Sequence, residues 1–438
     1  MKTVAKFVFS VMFFLSCTAY GEIPTNSWNS FMDQAETFYH EGRYAEGIGS
    51  AHEALKLAEK DFGQNHANVA LCLNNLAGLY YAQGQYQEAE SLVKRAIKIR
   101  EKSLGSNHPD VAVSLNNLGD LYRSQSKYAE AEPLYKQSLQ ILEHAFGREH
   151  LYVAAVLNNL GLLDTAQARY REGNLLLRES LSIREKILGS DHPDVGESLD
   201  NLATLDYLQG KYSDAEFLFK DALEIREKAL GPGHPDVAGS LNNLAELYKV
   251  QAKYKQAESL AKRALEIFEQ TFGSNHPDVA TSLNSLADLY RLQGNYEKAE
   301  PLFKRSLEIR EKVLGPSHSY VATTLNNLAL LYKREGKLAE AEPLYKKALE
   351  ITEKNLGGEH PYVAISATNL AVLYIAEEKY DKAEPLLKQA LQIREKTLGA
   401  HHPDLQTSQD NLTFLYEAEK AKNEELAGSL KRKKNKRS

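Results

Sequence analysis

Between His108 and Gly147 the hydrophobic positions fall into two helical stripes. Leu115, Leu118, Gly119 and Tyr122 recur at spacings of three and four, the signature of one helix face. After a break at Ser124–Lys127, Tyr128, Ala131, Leu134, Tyr135, Ser138, Leu139 and Leu142 do the same. Pro109 suits the first turn of a helix, where its missing N–H costs nothing. Gly147 suits the left-handed residue that closes one. The matching break elsewhere often carries glycine, as at Gly84, Gly210, Gly294 and Gly336. The pattern predicts two antiparallel helices joined by tight turns. Pro133, Pro301, Pro343 and Pro385 fall in the second turn of the second helix, which predicts a mild kink there.

The pair repeats. His66, His108, His150, His192, His234, His276, His318, His360 and His402 are each 42 residues apart, and a glycine stands three residues before each of them, from Gly63 to Gly399. Self-similarity of this length means a repeat array. A helix pair cannot bury both of its faces alone, so it stacks on its neighbours. The first unit is degenerate but keeps Phe31, Ala35, Phe38, Gly42, Tyr44 and Ala45. At the other end, Pro403 to Lys420 supplies a first helix only, which predicts a cap on the array.

These residues resemble the tetratricopeptide repeat, in the 42-residue form found in kinesin light chains. The shared pattern is seen at Leu325–Tyr332, Gly336–Lys337, Ala341–Leu344 and Ala348–Val363, with Leu338 in place of the usual Tyr. The resemblance implies an all-α fold, a right-handed superhelical solenoid of antiparallel helix pairs, with a concave groove lined by the first helix of each pair. It carries fold and binding mode, and not motor function. The expected organisation is a leader at 1–21, a repeat array at 22–421 of about nine helix pairs plus a C-terminal capping helix, and a basic, disordered tail at 422–438.

The leader reading rests on Lys2 and Lys6, an apolar run from Phe7 to Leu15, and Ala19-Tyr20-Gly21 at a cleavage position. It predicts an exported protein, periplasmic or secreted. Anchoring through lipid on Cys17 is the less favoured alternative, since Phe14 stands where such signals usually carry Leu. Removing the leader moves the net charge from −6 to −8 and leaves Cys72 as the one thiol, so no internal disulfide forms. Lys431 to Ser438 carries six positive charges, so the body is near −14, which argues against general nucleic-acid binding. The mature chain is expected to have no membrane span. The basic tail is expected to keep the chain soluble, with contact to acidic surfaces as the alternative.

Chemistry is sparse. Equivalent histidines of stacked repeats lie roughly 10 Å apart, too far to share a metal whose ligand nitrogens must each be about 2 Å away. Phosphate-binding loops, H-E-x-x-H and G-x-S-x-G are missing. Glu308, Arg310, Glu311 and Lys312 read as a solvated, ion-paired face. The expectation is a chain that is not an enzyme and uses no cofactor and no metal. The informative feature is a ladder of amides, Asn75, Asn117, Asn159, Asn201, Asn243, Asn327 and Asn369, broken by Ser285. Asn117 lies about 150° around its helix from the apolar stripe. Its companions there are Val113, Asp120 and Ser124; one repeat on they are Ala155, Leu162 and Ala166. An amide offers a donor and an acceptor together, which matches a peptide backbone without choosing its sequence. The alternative is that each Asn bridges adjacent repeats or caps backbone groups. The reading is a non-catalytic scaffold that binds extended peptide segments of partner proteins in its groove, outside the cytoplasm. The competing reading is a self-associating architectural repeat protein of the cell envelope.

Overall fold

The computed structural model describes residues 27–398 and 403–435; the leader, Cys17 and the cleavage position lie outside them. Nineteen α-helices and no strands are found among the described residues. The chain divides into two compact units, 1–318 and 319–438. In the first unit the first helices of the pairs are α1 (Trp28–His40), α3 (Ala67–Ala82), α5 (Pro109–Ser124), α7 (Leu151–Ala166), α9 (Pro193–Leu208), α11 (Pro235–Val250) and α13 (Pro277–Leu292). The second helices are α2 (Tyr44–Phe62), α4 (Tyr86–Leu104), α6 (Tyr128–Phe146), α8 (Tyr170–Leu188), α10 (Tyr212–Leu230), α12 (Tyr254–Phe272) and α14 (Tyr296–Leu314). The second unit holds α15 (Ser319–Arg334), α16 (Leu338–Leu356), α17 (Pro361–Ala376), α18 (Tyr380–Thr397) and α19 (Pro403–Asn435). Within each unit, each helix packs on its predecessor and on its successor, as the solenoid requires.

Local chemistry explains the regularity. The periodic histidines from His66 to His276, and His360, are N-caps: Nδ1 of His108 accepts the Asp110 N–H at 3.1 Å, and His150, His192, His234 and His276 do the same for the residue two further on. An imidazole nitrogen here satisfies one of the orphan donors of a helix start, a task more often given to Ser, Thr or Asp. At the far end of the second helices from α2 to α16 glycine leaves in the left-handed region, with φ from 77° at Gly273 to 92° at Gly105, while α18 ends on Leu398 at −112°. The turn inside each pair also needs positive φ. Gly42, Gly84, Gly210, Gly294 and Gly336 provide it, but Ser126, Ala168, Ala252 and Glu378 adopt φ of 56–58° at the same register.

The helices that contain Pro133, Pro301, Pro343 and Pro385 run through the proline: α6, α14 and α16 span 19 residues, the length of proline-free α4 and α10. The core lies between the layers. Leu118, Leu121, Ala131, Tyr135, Leu142, Val153 and Leu157 form part of one continuous cluster across neighbouring pairs.

In the second unit α19 packs on α18 through Leu415, which is buried with Leu370, Leu373 and Leu387, while Leu412 and Ala418 lie against them. Gln409 and Thr413 are exposed at the registers where α5 has Leu115 and Gly119 in the core. The tail was expected to be without regular structure from Lys422, yet α19 continues to Asn435. The physical reason lies in residue type. Glu424, Glu425, Leu426 and Ala427 are strong helix formers.

Candidate functional site: the polar seam between repeats

The first helices are covered on both sides along most of their length: every residue of α5 from Val111 to Leu121 is buried. The second helices cover only one side. The polar groups of the first helices therefore meet the next repeat and not bulk water, and they must be satisfied there.

One network starts at the end of the second helix. Arg100 of α4 is 2% exposed. Its guanidinium donates to the Asp110 carbonyl at 2.8 Å and to Ser114 Oγ at 2.7 Å. Asn74 Nδ2 donates to the same Ser114 hydroxyl at 2.9 Å, so one serine joins two successive repeats. Arg184 repeats the arrangement on the Asp194 carbonyl and Ser198. Arg226 holds Asp200 and Ser240, and in the second unit Arg394 holds Ser408 while Asn326 holds Ser366. Burial pushes the Arg100 and Arg394 pKa values down. Burial also opposes charge on Arg226, but Asp200 more than offsets it. Arg310, read from sequence as part of a solvated face, is 3% exposed and donates to Thr281 Oγ1 at 3.2 Å. Arg100, Arg184, Arg226, Arg310 and Arg394 keep the 42-residue clock, but so do the exposed Lys102, Lys186, Lys228 and Lys312 two positions on, so the period alone does not tell the buried charge from the solvated one.

The amide ladder runs beside this network. Asn75, Asn117, Asn159, Asn201 and Asn369 are buried, and Asn243 and Asn327 are half-buried. Asn159 Nδ2 donates to Asn116 Oδ1 at 3.1 Å and to Asp120 Oδ2 at 3.2 Å. Asn201 Nδ2 donates to Asn158 Oδ1 at 2.9 Å, and Asn243 bonds Asp200. The step between Asn117 and Asn74 has no such bond, and both amide atoms of Asn117 are buried without a protein partner. Where the bonds form, they join consecutive repeats, which is the bridging arrangement. The far face of the first helix is covered by the neighbouring first helix, which an angle measured around one helix does not reveal.

The register three residues after each ladder position varies from repeat to repeat: Gly78, Asp120, Leu162, Thr204, Glu246 and, after Ser285, Asp288 in the first unit. Sequence reading named Asp120 on this face but not Glu246 or Asp288. Lys249 Nζ lies 2.7 Å from Glu246 Oε2 and 2.9 Å from Asp288 Oδ2, and Arg291 Nε donates to Asp288 Oδ1 at 2.8 Å. Burial raises the Glu246 pKa, while Lys249 and Arg291 hold Asp288 below its ordinary value despite burial. Asp120 accepts from the Tyr135 hydroxyl at 2.8 Å and pairs with Arg123 at 2.9 Å. Burial raises its pKa and pushes the Tyr135 hydroxyl well up. These carboxylates are engaged by cations and hydroxyls of the same or the next repeat.

Among the described residues no three His, Cys, Asp or Glu side chains are grouped as a metal site would group them, and no helix is long and apolar enough to cross a membrane.

Comparison with solved structures gives a kinesin-light-chain candidate from Podosopora anserina with nearly identical TPR-like repeats, 26% identical over 45% of this chain and 93% of its own, at a TM-score of 0.39. BtubC from P. vanneervenii is 25% identical over 54% of this chain and 93% of its own, at a TM-score of 0.42. A Rap protein complexed with competence and sporulation factor covers 84% of this chain and 98% of its own at 14% identity and a TM-score of 0.57, a likeness of fold. The curated proteins give no match. The tetratricopeptide repeat family model matches residues 27–102, 75–144, 110–172, 152–228, 236–312, 320–396 and 366–425. With the 42-residue period and the stacked helix pairs, that match means the chain belongs to the tetratricopeptide repeat family.

Proposed function

We propose that this chain is a non-catalytic scaffold that holds extended segments of partner proteins along its layer of first helices, outside the cytoplasm. One observation carries the reading. The framework of each repeat is copied every 42 residues, while the register that follows the ladder changes from Asp120 to Leu162, Thr204, Glu246 and Asp288. A fixed frame with a changing wall is what selective binding of a long, irregular segment requires. An extended segment advances about 3.3 Å per residue and repeats advance roughly 10 Å, so one repeat would meet about every third ligand residue. Within the ladder, the half-buried Asn243 of the first unit and Asn327 of the second are the members placed to meet ligand main chain, while Asn75, Asn117, Asn159, Asn201 and Asn369 lie buried between repeats. Export rests on the leader.

The test is the triple substitution Asn159→Ala, Asn201→Ala and Asn243→Ala, read by affinity for a captured partner and by thermal melting. The inter-repeat bonds of Asn159 and Asn201 should each contribute about 0.5–1.5 kcal/mol, so melting should fall. Affinity, measured where the variant is fully folded, should fall by tenfold or more. Affinity unchanged in the folded variant would leave the ladder as repeat-to-repeat glue alone.

A further inference from the structure

The first unit returns on itself. Gly42 sits in the turn between α1 and α2, and Gly84 in the turn between α3 and α4; 234 positions later in each case stand His276 and His318. A Cβ added to Gly42 would lie 2.7 Å from Pro277 Cδ and 2.8 Å from His276 Cδ2. One added to Gly84 would lie 2.9 Å from His318 Cδ2. The backbone alone does not demand glycine here, because Ser126, Ala168 and Ala252 hold the same left-handed turn. Nor is the close approach general, because a Cβ on Gly210 or Gly294 would meet open space. The histidines tell the same story. The side chains of His108, His192 and His234 are 39–41% exposed. His276 and His318, alike in sequence position, are 6% and 4% exposed.

We infer that these two contacts latch the first unit into a closed coil, in which one superhelical turn rests on the next after between five and six repeats. Two successive repeats, each offering a bare glycine, seat the imidazole rings of two successive repeats one turn later. Contact at that distance leaves no room for a side chain, so glycine at both positions is a condition of closure. The closed coil presents its first helices at its ends and not through a gap between turns. Partner entry from the side would then need the latch to part. That consequence rests on the scaffold reading; the latch itself does not.

Solution scattering of the full chain separates the two. The variant G42L/G84L places side chains in the seam, and G210L/G294L imposes the same left-handed strain where nothing is touched. A rise in radius of gyration and maximum dimension in the first variant alone is the expected result. Equal dimensions in both, or equal expansion in both, would overturn the latch. Should G42L/G84L lose helicity by circular dichroism, a second measurement decides. With Cys17 and Cys72 replaced by serine, G84C/H318C should be bridged by dibromobimane within one chain, giving fluorescence and a faster-migrating band, while G210C/H318C should not. Absence of that bridge would remove the seam.

Discussion

Ala252 holds a φ of 57° in the turn between α11 and α12, and Ala168 and Ser126 hold 58° and 56° in the corresponding turns. A residue with a Cβ there gives up about 1–2 kcal/mol to sterics, while glycine gives up roughly 0.5–1 kcal/mol of extra chain entropy on folding. The balance favours glycine by up to about 1.5 kcal/mol. Ala252→Gly should therefore move the urea midpoint upward without changing the slope, and a lower midpoint would show that the methyl group packs. The periodic Gly at this register was legible as a turn signal, because helix stripes stop on either side of it. The ladder amides were legible as a set but not in their surroundings. An angle around one helix gives the distance from that helix's own stripe, and it is silent on the neighbour that covers the far side. Asn159 therefore looks open in sequence and is buried against Asn116 and Asp120 in the structure. The arginines were misread for a related reason: a long charged side chain at helical spacing is usually solvated, and Arg100 and Arg310 share their 42-residue period with the exposed Lys102 and Lys312.

At the scale of the element, α19 shows how a repeat series can end. Leu415 still fills the face of α18, and Gln409 and Thr413 replace the apolar residues that a following second helix would have covered. A polar outer face of this kind is what a terminal repeat needs. We expect that deleting residues from Pro403 onward uncovers Leu370, Leu373 and Leu387, lowers the melting temperature, and promotes association through the new apolar face. Deleting Lys431 onward should change neither. A truncation at Pro403 that stays monomeric and melts unchanged would take the capping role away. Sequence reasoning found this helix from its period but stopped it early, because charge content was read as disorder. Helix propensity was the stronger term. The second-helix prolines show the converse: the fold carries the helix through Pro133 and Pro301 at unchanged length, because burial of residues such as Tyr135 and Phe303 on the same helix supports it.

At the scale of the whole molecule the carboxylates fall into two groups with opposite consequences for pH. Glu216 and Glu342, held by lysine partners against some burial, are lowered to about 2. Their contribution is present above the ordinary glutamate value of 4.5 and is lost as pH falls through the lowered value. Asp120, Glu197, Asp200 and Glu246 are raised, with burial the largest cause in each. For these the sign reverses. A raised carboxylate binds its proton more tightly when folded, so its contribution is complete below the ordinary range and is lost as pH rises through the raised value. The two groups together predict a stability maximum on the acid side of neutrality, with the decline toward neutral pH set by the raised group. Glu197 isolates it. Its carboxylate faces Arg184 at 3.5 Å, with Arg226 attracting and Asp194 and Asp200 repelling it, and its Oε1 is buried without a hydrogen bond. Glu197→Gln removes the charge, keeps the shape, and leaves Arg184 its bonds to Ser198 and the Asp194 carbonyl. The variant should melt higher than the parent at neutral pH and match it below the ordinary carboxylate range, so that its melting temperature declines less steeply between the two. If Glu197→Gln instead melts lower at neutral pH, the attraction of Arg184 and Arg226 outweighs burial, and the acid-side maximum must come from the other carboxylates.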